Sequence, residues 1–252
     1  MLRMDVVDLR DFYETSLGQT ACRVIRRHLR TMWPDVRGMT MLGLGFATPF
    51  LSPFRTEAER VLAAMPATQG VLHWPQEGPG STALTEETDL PFPDLSIDRI
   101  LMVHSIETAE RVRPLMREVW RVLAGSGRLI VVAPNRTGIW ARLERTPFGH
   151  GRPYTPGQMT ALLRDNMFTP VGTRAALIMP PMRLRMMLAS APWWETLGPY
   201  GMGTFGGVVI AEATKQIYAA PIEAAPQARR RTQTATEGNF RIGSREPTGN
   251  PG

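Results

Sequence analysis

The stretch Leu90–Glu107, LPFPDLSIDRILMVHSIE, decides the fold of this 252-residue chain. Its turn-rich PFPD sequence leads into the run Ile97–Val103, which carries apolar residues on both faces, as a strand in the middle of a parallel sheet does. Glu110–Leu123 then has apolar residues at helical spacing, and the apolar run Arg128–Pro134 follows it. Strand, helix and strand in this order predict a βαβ crossover, so we expect the two strands to be parallel neighbours.

Upstream of this block, apolar patterns predict five further elements. Residues Asp8–Met32 have helical spacing, and Gly18 is expected to divide them into two helices. The run Met39–Leu44 predicts a buried strand. Thr56–Met65 predicts a helix whose first residue is the N-cap, and Gly70–Trp74 a second short strand.

Downstream, Gly125 and Gly127 are expected to end the helix of the βαβ unit. Thr155–Asn166 predicts a helix with a threonine N-cap followed by proline at the first helical position. The remaining expected elements are two strands, within 168–180 and 206–218, and between them a Met-rich helix over 182–197.

Composition excludes several classes of protein. The chain has a net charge of +6, but its basic residues are scattered arginines with the single lysine Lys215, so a nucleic-acid partner is not favoured. One cysteine, Cys22, excludes an internal disulfide and a cysteine-based zinc site, and no metal site is predicted. The N-terminus is too acidic for a signal peptide, and no apolar run approaches ~20 residues. The sequence predicts a cytoplasmic, soluble protein without membrane contact.

The composition changes near the C-terminus. After Pro221, proline, alanine, glycine, threonine, glutamine and arginine dominate, so this segment buries too little apolar surface to offset the entropy of ordering. We therefore expect a helical extension over 1–36, an α/β domain over 37–218 and a disordered tail over 219–252. Arginines 229–231 in the tail leave RNA-directed activity as a minor alternative, which salt should weaken steeply.

Two sequence blocks resemble a known family. LPFPDLSIDRILMVHSIE, followed by LMREVWRVLAGSGRLIVVAPNR (115–136), is similar to the second half of class I S-adenosylmethionine (SAM)-dependent methyltransferases of the type-11 kind. The resemblance covers roughly 10–215 and is specific over 90–135. It implies a Rossmann-like α/β fold, a seven-stranded mostly parallel sheet with one antiparallel strand and helices on both faces. SAM would lie across the carboxyl ends of the first strands, where open α/β sheets bind ligands.

The resemblance also implies a set of cofactor-binding residues. The loop MLGLGFATPF (41–50) has Gly43 and Gly45, which would let the backbone approach the methionine moiety of SAM, and Ala47 is at the next small position. A tight turn that binds no ligand is the alternative. Glu86 would lie beside the adenine, with a solvated loop acid as its alternative, and Val103 would line the other side of SAM.

His104 is a candidate acid or base, because histidine titrates near neutral pH. The alternative is a positioning residue packed beneath the cofactor, and methyl transfer itself needs mostly proximity and orientation.

Two acids that the family usually carries are missing. Met41 stands where the resemblance has an acid before the glycines. At the expected end of the second strand, His73 and Trp74 stand where a carboxylate would accept both ribose hydroxyls. Such charge-assisted bonds contribute about 1.5–3 kcal/mol each, so SAM affinity would fall roughly tenfold to a hundredfold. Trp74 could stack on adenine and His73 could make one hydrogen bond; packing at a strand end is the alternative for both.

The acceptor site is expected under the loop after the fifth strand, RTPFGHGRPYTP (145–156). Its candidate substrate-binding residues are Arg145, His150, Arg152 and Tyr154; arginines bind anions bidentately, and an ordered structural loop is the alternative. The Met- and Trp-rich segment 179–197 is a candidate protein-partner surface or acceptor pocket, with a helical core face as the alternative.

The predicted function is methyl transfer from SAM, by direct displacement, to an unidentified small-molecule or macromolecular acceptor. The alternative is a catalytically inactive methyltransferase-fold protein that acts as a binding or regulatory subunit.

Overall fold

The computed structural model describes residues 4–181 and 206–216. The helices are α1 (Val6–Glu14), α2 (Ser16–Met32), α3 (Thr48–Leu51), α4 (Val112–Val122) and α5 (Pro156–Asp165). The strands are β1 (Thr40–Gly45), β2 (Arg60–Pro66), β3 (Thr82–Thr85), β4 (Ile97–Val103), β5 (Leu123–Pro134), β6 (Phe168–Ala176) and β7 (Val208–Lys215).

The strands form one seven-stranded sheet in the order β3-β2-β1-β4-β5-β7-β6. Strands β1 to β5 pair in parallel, whereas β7 runs antiparallel to both β5 and β6. The predicted fold class, a mostly parallel sheet with one antiparallel strand, is therefore confirmed. The chain passes from β1 outward to β3 on one side and resumes at β4 on the other, so the order reverses between β1 and β4.

Helices cover both faces of the sheet, and alternate strand residues enter two apolar clusters. Met41 and Leu101 pack on the face covered by α1, α2 and α3, while Leu42 and Ile100 pack on the face covered by α4 and α5. Strands buried on both faces are typical of parallel sheets. The two N-terminal helices thus contribute to the main core.

The βαβ unit that decided the fold is confirmed. Strands β4 and β5 are parallel neighbours, with Arg99 opposite Arg128. The expected role of Gly125 and Gly127 is wrong, because α4 ends at Val122 and both glycines lie within β5. A Cβ on Gly127 would lie 2.7 Å from the Cδ1 of Leu123, so the local packing of this strand, and not a helix end, requires that glycine.

The division of the N-terminal helices is at Thr15, and not at Gly18 as predicted. Thr15 is extended (φ −68°, ψ 155°), and its hydroxyl accepts a hydrogen bond from the Gly18 amide at 3.0 Å, which caps α2. Gly18 lies inside α2, where a Cβ would be 2.1 Å from the carbonyl oxygen of Phe12. The glycine therefore lets the two helices approach each other closely.

The region of the second strand differs from the prediction. The predicted helix Thr56–Met65 overlaps β2 (Arg60–Pro66), and the predicted strand Gly70–Trp74 is irregular. A short apolar run does not distinguish a buried strand from a helix by periodicity. Here the pairing with β1, from Thr40 opposite Arg60 onward, decides for the strand.

The later elements agree with the prediction. Helix α5 begins at Pro156, and Thr155 and Gln158 form a reciprocal capping box at its start. Strands β6 and β7 fall within the two predicted segments. The Met-rich helix over 182–197 and the tail over 219–252 lie outside the described residues. Within the described ranges, no helix combines the length and the apolar character that crossing a bilayer requires.

Candidate functional site

The carboxyl ends of β1 and β4 lie side by side, with Gly45 opposite Val103. The strand order reverses between these two strands, and open α/β sheets bind ligands at such a point, beyond the carboxyl ends of the strands. We refer to the carboxyl ends of β1 and β4, marked by Gly45, Val103 and His104, as the crevice. It is the location that the fold itself favours for a ligand.

The glycines of the loop after β1 are in close contact with other parts of the protein. Gly45 has φ +76°, and a Cβ there would lie 2.4 Å from the carbonyl oxygen of Val103 and 2.8 Å from that of His104. A Cβ on Gly43 would lie 2.5 Å from Cδ1 of Leu51 and 2.7 Å from Cβ of Ala47. Both glycines are thus required by the chain's own packing, and their open faces are covered by protein atoms.

An aromatic side chain from the N-terminal helix covers this loop. Tyr13 of α1 is buried, and its ring is stacked on Phe46 with 5.8 Å between centroids and 18° between planes. The Tyr13 hydroxyl lies 2.7 Å from Nε2 of His104. Burial raises the pKa of Tyr13 well above its ordinary value, so this hydroxyl keeps its proton.

His104 is the centre of a buried hydrogen-bonded chain. Nε2 of His104 lies 2.7 Å from the Tyr13 hydroxyl, and Nδ1 of the same ring lies 3.2 Å from Oε1 of Glu107. The backbone of His104 is in the left-handed region with φ +50°, and its side chain is only 3% exposed. His104 stays a predicted acid or base, but both ring nitrogens have protein partners in this arrangement.

A glutamine from the segment after β2 also reaches His104. The amide Nε2 of Gln69 donates to the carbonyl oxygen of His104 at 3.1 Å, and Gln69 is buried. Since β1 lies between β2 and β4, this side chain passes over the carboxyl end of β1. Gln69 also accepts a hydrogen bond through its backbone oxygen from the amide of Val6, at 2.8 Å.

Two acceptor atoms in this cluster are buried without a hydrogen-bond partner among the described residues: Oε1 of Gln69 and Oε2 of Glu107. A buried acceptor that loses its partner costs about 1–3 kcal/mol. Tyr13, Gln69 and Glu107 were not singled out from the sequence. Each has an ordinary local pattern, and only the fold brings them to His104.

The cofactor residues predicted after the second strand are in a different place. Strand β2 ends at Pro66, so His73 and Trp74 lie in the following loop and not at a strand end. The residues that do follow β2 are Ala67 and Thr68, which carry no carboxylate.

His73 and Trp74 nevertheless come close to the loop after β1. The guanidinium of Arg55 lies 5.3 Å from the centroid of the Trp74 ring. A cavity of about 740 Å³ lies here, and it is lined by Tyr13, Phe46, Arg55, His73 and Trp74. Its other lining residues are Arg10, Glu14, Thr48, Pro49, Ser52, Leu72, Pro75, Gln76 and Glu77.

The remaining predicted cofactor residues are separated from this cavity. Glu86 follows β3, two strands away from β1, and forms an isolated bridge with Asp89. Val103 is buried at the end of β4. Met41, at the position where the resemblance has an acid, is fully buried in β1 and contributes to the core.

The predicted acceptor loop is tied to the protein by its own polar groups. The guanidinium of Arg145 donates to the backbone oxygen of Pro181 at 3.1 Å. Nε2 of His150 lies 2.6 Å from the backbone oxygen of Glu144. The amide of Arg152 donates to the backbone oxygen of Glu107 at 2.8 Å, so the loop packs directly over the crevice cluster.

The exposed Arg152 and the half-buried Tyr154 border a second cavity of about 330 Å³. Burial raises the pKa of Tyr154, and the nearby Glu107 carboxylate raises it further. Two of the four predicted acceptor residues thus line a cavity formed by described residues.

Comparison with known proteins finds similarity to methyltransferases. Residues 43–131 match the model of the methyltransferase domain family. A probable S-adenosylmethionine-dependent methyltransferase of Mycobacterium tuberculosis is 36% identical over 85 residues, which is 33% of this chain. The match spans 31% of that relative's length.

Solved structures show the same fold at low identity. A SAM-dependent methyltransferase of Thermotoga maritima, a possible histamine N-methyltransferase, has a TM-score of 0.58 at 17% identity, over 84% of this chain and 96% of its own. The geranyl diphosphate C-methyltransferase of Streptomyces coelicolor, solved with S-adenosyl-L-homocysteine, has a TM-score of 0.52 at 14% identity, over 76% of each chain.

Proposed function

We propose that this chain, which has the class I methyltransferase fold and whose residues 43–131 match the model of the methyltransferase domain family, is a SAM-dependent methyltransferase. One observation carries the proposal. The matched residues include the carboxyl ends of β1 and β4, the two strands between which the strand order reverses. SAM is the methyl donor that this family uses, and the acceptor would be a nucleophile of unidentified class.

The residues at the crevice do not accommodate SAM in the described arrangement. The open faces of Gly43 and Gly45 contact protein atoms, and Gln69 passes over the end of β1. The residues after β2, Ala67 and Thr68, offer no carboxylate for ribose hydroxyls. We therefore derive no catalytic step through SAM.

The chain's own residues support limited roles. Tyr13, His104 and Glu107 form a buried chain of hydrogen bonds that fixes the position of the His104 ring. The loop that contains Arg152 packs over Glu107 and keeps water from this carboxylate, which is 2% exposed. Arg152 and Tyr154, beside the second cavity, are the groups best located to bind an acceptor.

A second candidate function is a methyltransferase-fold subunit without catalysis. The closed crevice and the absence of a carboxylate after β2 favour it. Such a protein would keep the sheet and its surface while its former cofactor space is packed with side chains. Its role would be to bind another molecule through that surface.

Calorimetric titration of the full chain with SAM and S-adenosyl-L-homocysteine separates the two functions, with ATP as the control nucleotide. For the enzyme we expect saturable binding of both sulfur ligands, weakened roughly tenfold to a hundredfold by the missing carboxylate, and none of ATP. No heat and no thermal shift with millimolar SAM would overturn the enzyme and leave the subunit.

A further inference from the structure

Three segments of the chain enclose the cavity of about 740 Å³ beside the loop after β1. Helix α1 contributes Tyr13, the loop after β1 contributes Phe46, and the segment after β2 contributes Trp74. Pockets that bind small molecules have volumes of about 300–1,000 Å³ and a mostly apolar lining with a few polar groups. The volume of this cavity therefore suits a small-molecule ligand.

One part of the lining is aromatic and held in place by the core. Tyr13 and Phe46 are buried and stacked on each other, with 5.8 Å between ring centroids. Trp74 packs against the same apolar cluster but is only partly buried, so part of its indole ring is accessible from the cavity. Aromatic side chains of this kind favour a flat aromatic ligand, which buries a large apolar area against them.

A positively charged side chain accompanies the aromatic lining. The guanidinium of Arg55 lies over the Trp74 ring, 5.3 Å from its centroid. A guanidinium in such a contact uses its flat face, and the N–H groups in its plane stay available for two parallel hydrogen bonds to a carboxylate. Among the described residues, no acid pairs with this guanidinium. Arg55 is thus a positioned donor with unused hydrogen-bonding capacity.

The other charged groups of the lining leave Arg55 as the group that selects the charge of a ligand. Arg10 lies 2.8 Å from Asp11 and 3.9 Å from Glu14, so its charge is balanced within α1. Glu77 is exposed in the loop after Trp74, and no ion pair with another described residue fixes its carboxylate. The cation is held by an aromatic ring, whereas the remaining acid is not held, so the lining favours an anion.

We propose that this cavity binds a small aromatic compound that carries one carboxylate. The aromatic part packs against the aromatic lining, and the carboxylate pairs with Arg55. A neutral compound of the same shape loses the charge-assisted bonds, and an amine places its charge beside the guanidinium. The inference goes beyond the proposed function and does not rest on it, because none of these contacts involves SAM.

The first experiment titrates the full chain with three compounds that share one aromatic ring system and differ in charge. The probes are indoleacetate, its neutral amide indoleacetamide and the cation tryptamine, each followed by calorimetry in the absence of SAM. We expect indoleacetate to bind about three- to tenfold more tightly than the amide, as for one charged contact at an exposed arginine. Tryptamine should bind the most weakly.

The second experiment repeats these titrations with charge variants. Arg55→Gln removes the charge at an exposed position, so the fold should be kept. We expect indoleacetate to lose its advantage over the amide in this variant, with little change in the affinity for the amide. Arg27→Gln, at an exposed arginine of α2 outside the lining, is the matched control and should keep the wild-type preference.

A third variant tests the aromatic part of the site. Trp74→Leu removes the accessible ring, and we expect it to weaken the binding of both indoleacetate and the amide by about three- to tenfold, because the ring contributes stacking surface to either ligand. Thermal unfolding confirms that the variant is folded before it is titrated. Unchanged affinity for both ligands in the folded variant would contradict the aromatic site.

The outcomes separate this site from the proposed function. An affinity for the amide or for tryptamine that equals or exceeds that for indoleacetate would overturn the proposal. A preference for indoleacetate that survives in Arg55→Gln, or that disappears in Arg27→Gln, would do the same, and so would the absence of heat with millimolar indoleacetate. Each of these results leaves the methyltransferase proposal unaffected, since SAM is absent from every titration.

Discussion

The hydroxyl of Tyr13 and Nε2 of His104 are 2.7 Å apart, although the two residues are separated by 91 positions in the chain. This hydrogen bond joins the N-terminal helix to the end of the fourth strand. It continues through Nδ1 of His104 to the carboxylate of Glu107. A buried chain of this kind makes each member dependent on the others, because a lost partner leaves a buried polar group unsatisfied.

Replacing His104 with alanine should therefore destabilise the protein strongly. The change leaves the Tyr13 hydroxyl and the Glu107 carboxylate without their partner, and we expect a loss of about 2–5 kcal/mol in the free energy of unfolding. Urea denaturation followed by circular dichroism measures it. His73→Ala, at an exposed position, should change the free energy by less than about 0.5 kcal/mol. Equal effects of the two changes would contradict a structural role for the buried chain.

Two glycines in helices should respond to alanine in opposite directions. A Cβ on Gly18 would lie 2.1 Å from the carbonyl oxygen of Phe12, so Gly18→Ala forces α1 and α2 apart and should cost about 1–3 kcal/mol or more. A Cβ on Gly157 meets nothing within 4 Å, so Gly157→Ala should stabilise α5 by up to about 1 kcal/mol. Thermal unfolding of both variants tests this, and a stabilised Gly18→Ala would refute the close helix contact.

The Cys22 thiol should make stability depend on alkaline pH. Burial raises its pKa from 9.0 to about 11. Because the folded pKa is raised, the contribution to stability is complete below pH 9 and is lost as pH rises through 11. This rise in the pKa corresponds to about 3 kcal/mol in the free energy of unfolding.

Tyr13, whose pKa is also raised by burial, acts in the same direction at higher pH. The measurement is therefore the difference between wild type and Cys22→Ala in urea unfolding at pH 8, 9.5 and 11. We expect the variant to lose less stability over this range. Parallel pH profiles would show that the thiol is not protected from ionisation.

Arg121 should be essential for the turn that precedes β4. Its guanidinium donates to the backbone oxygens of Leu90 and Phe92 at 2.8 and 2.9 Å, and it pairs with Asp94 and Glu118. Lysine cannot reproduce this planar set of bonds. We expect Arg121→Lys to cost about 1–3 kcal/mol in the free energy of unfolding.

The control for Arg121 is Arg117→Lys, an exposed substitution in the same helix. It should leave the melting temperature within about a degree of the wild type, since surface changes of this kind usually cost little. If Arg121→Lys melts together with this control, the network does not stabilise the turn.

Part of this architecture could be predicted because the signal was local. The run Ile97–Val103 and the helix after it have periodicities that only a buried strand and an amphipathic helix satisfy, and both were confirmed. By contrast, the predicted helix Thr56–Met65 overlaps strand β2, Arg60–Pro66. Its apolar residues fit either structure, and pairing with β1, a contact across about twenty positions of sequence, made the decision.

The amino-acid order by itself determined the βαβ unit and the glycine turn after the first strand, because apolar periodicity and turn residues act over a few positions. Only the tertiary structure decided what lies beyond that turn. Tyr13, Gln69 and Glu107 come from three distant segments and meet at His104. Each is ordinary in its local sequence, and burial and hydrogen-bond geometry, which no local pattern encodes, bring the three together at the carboxyl end of β4.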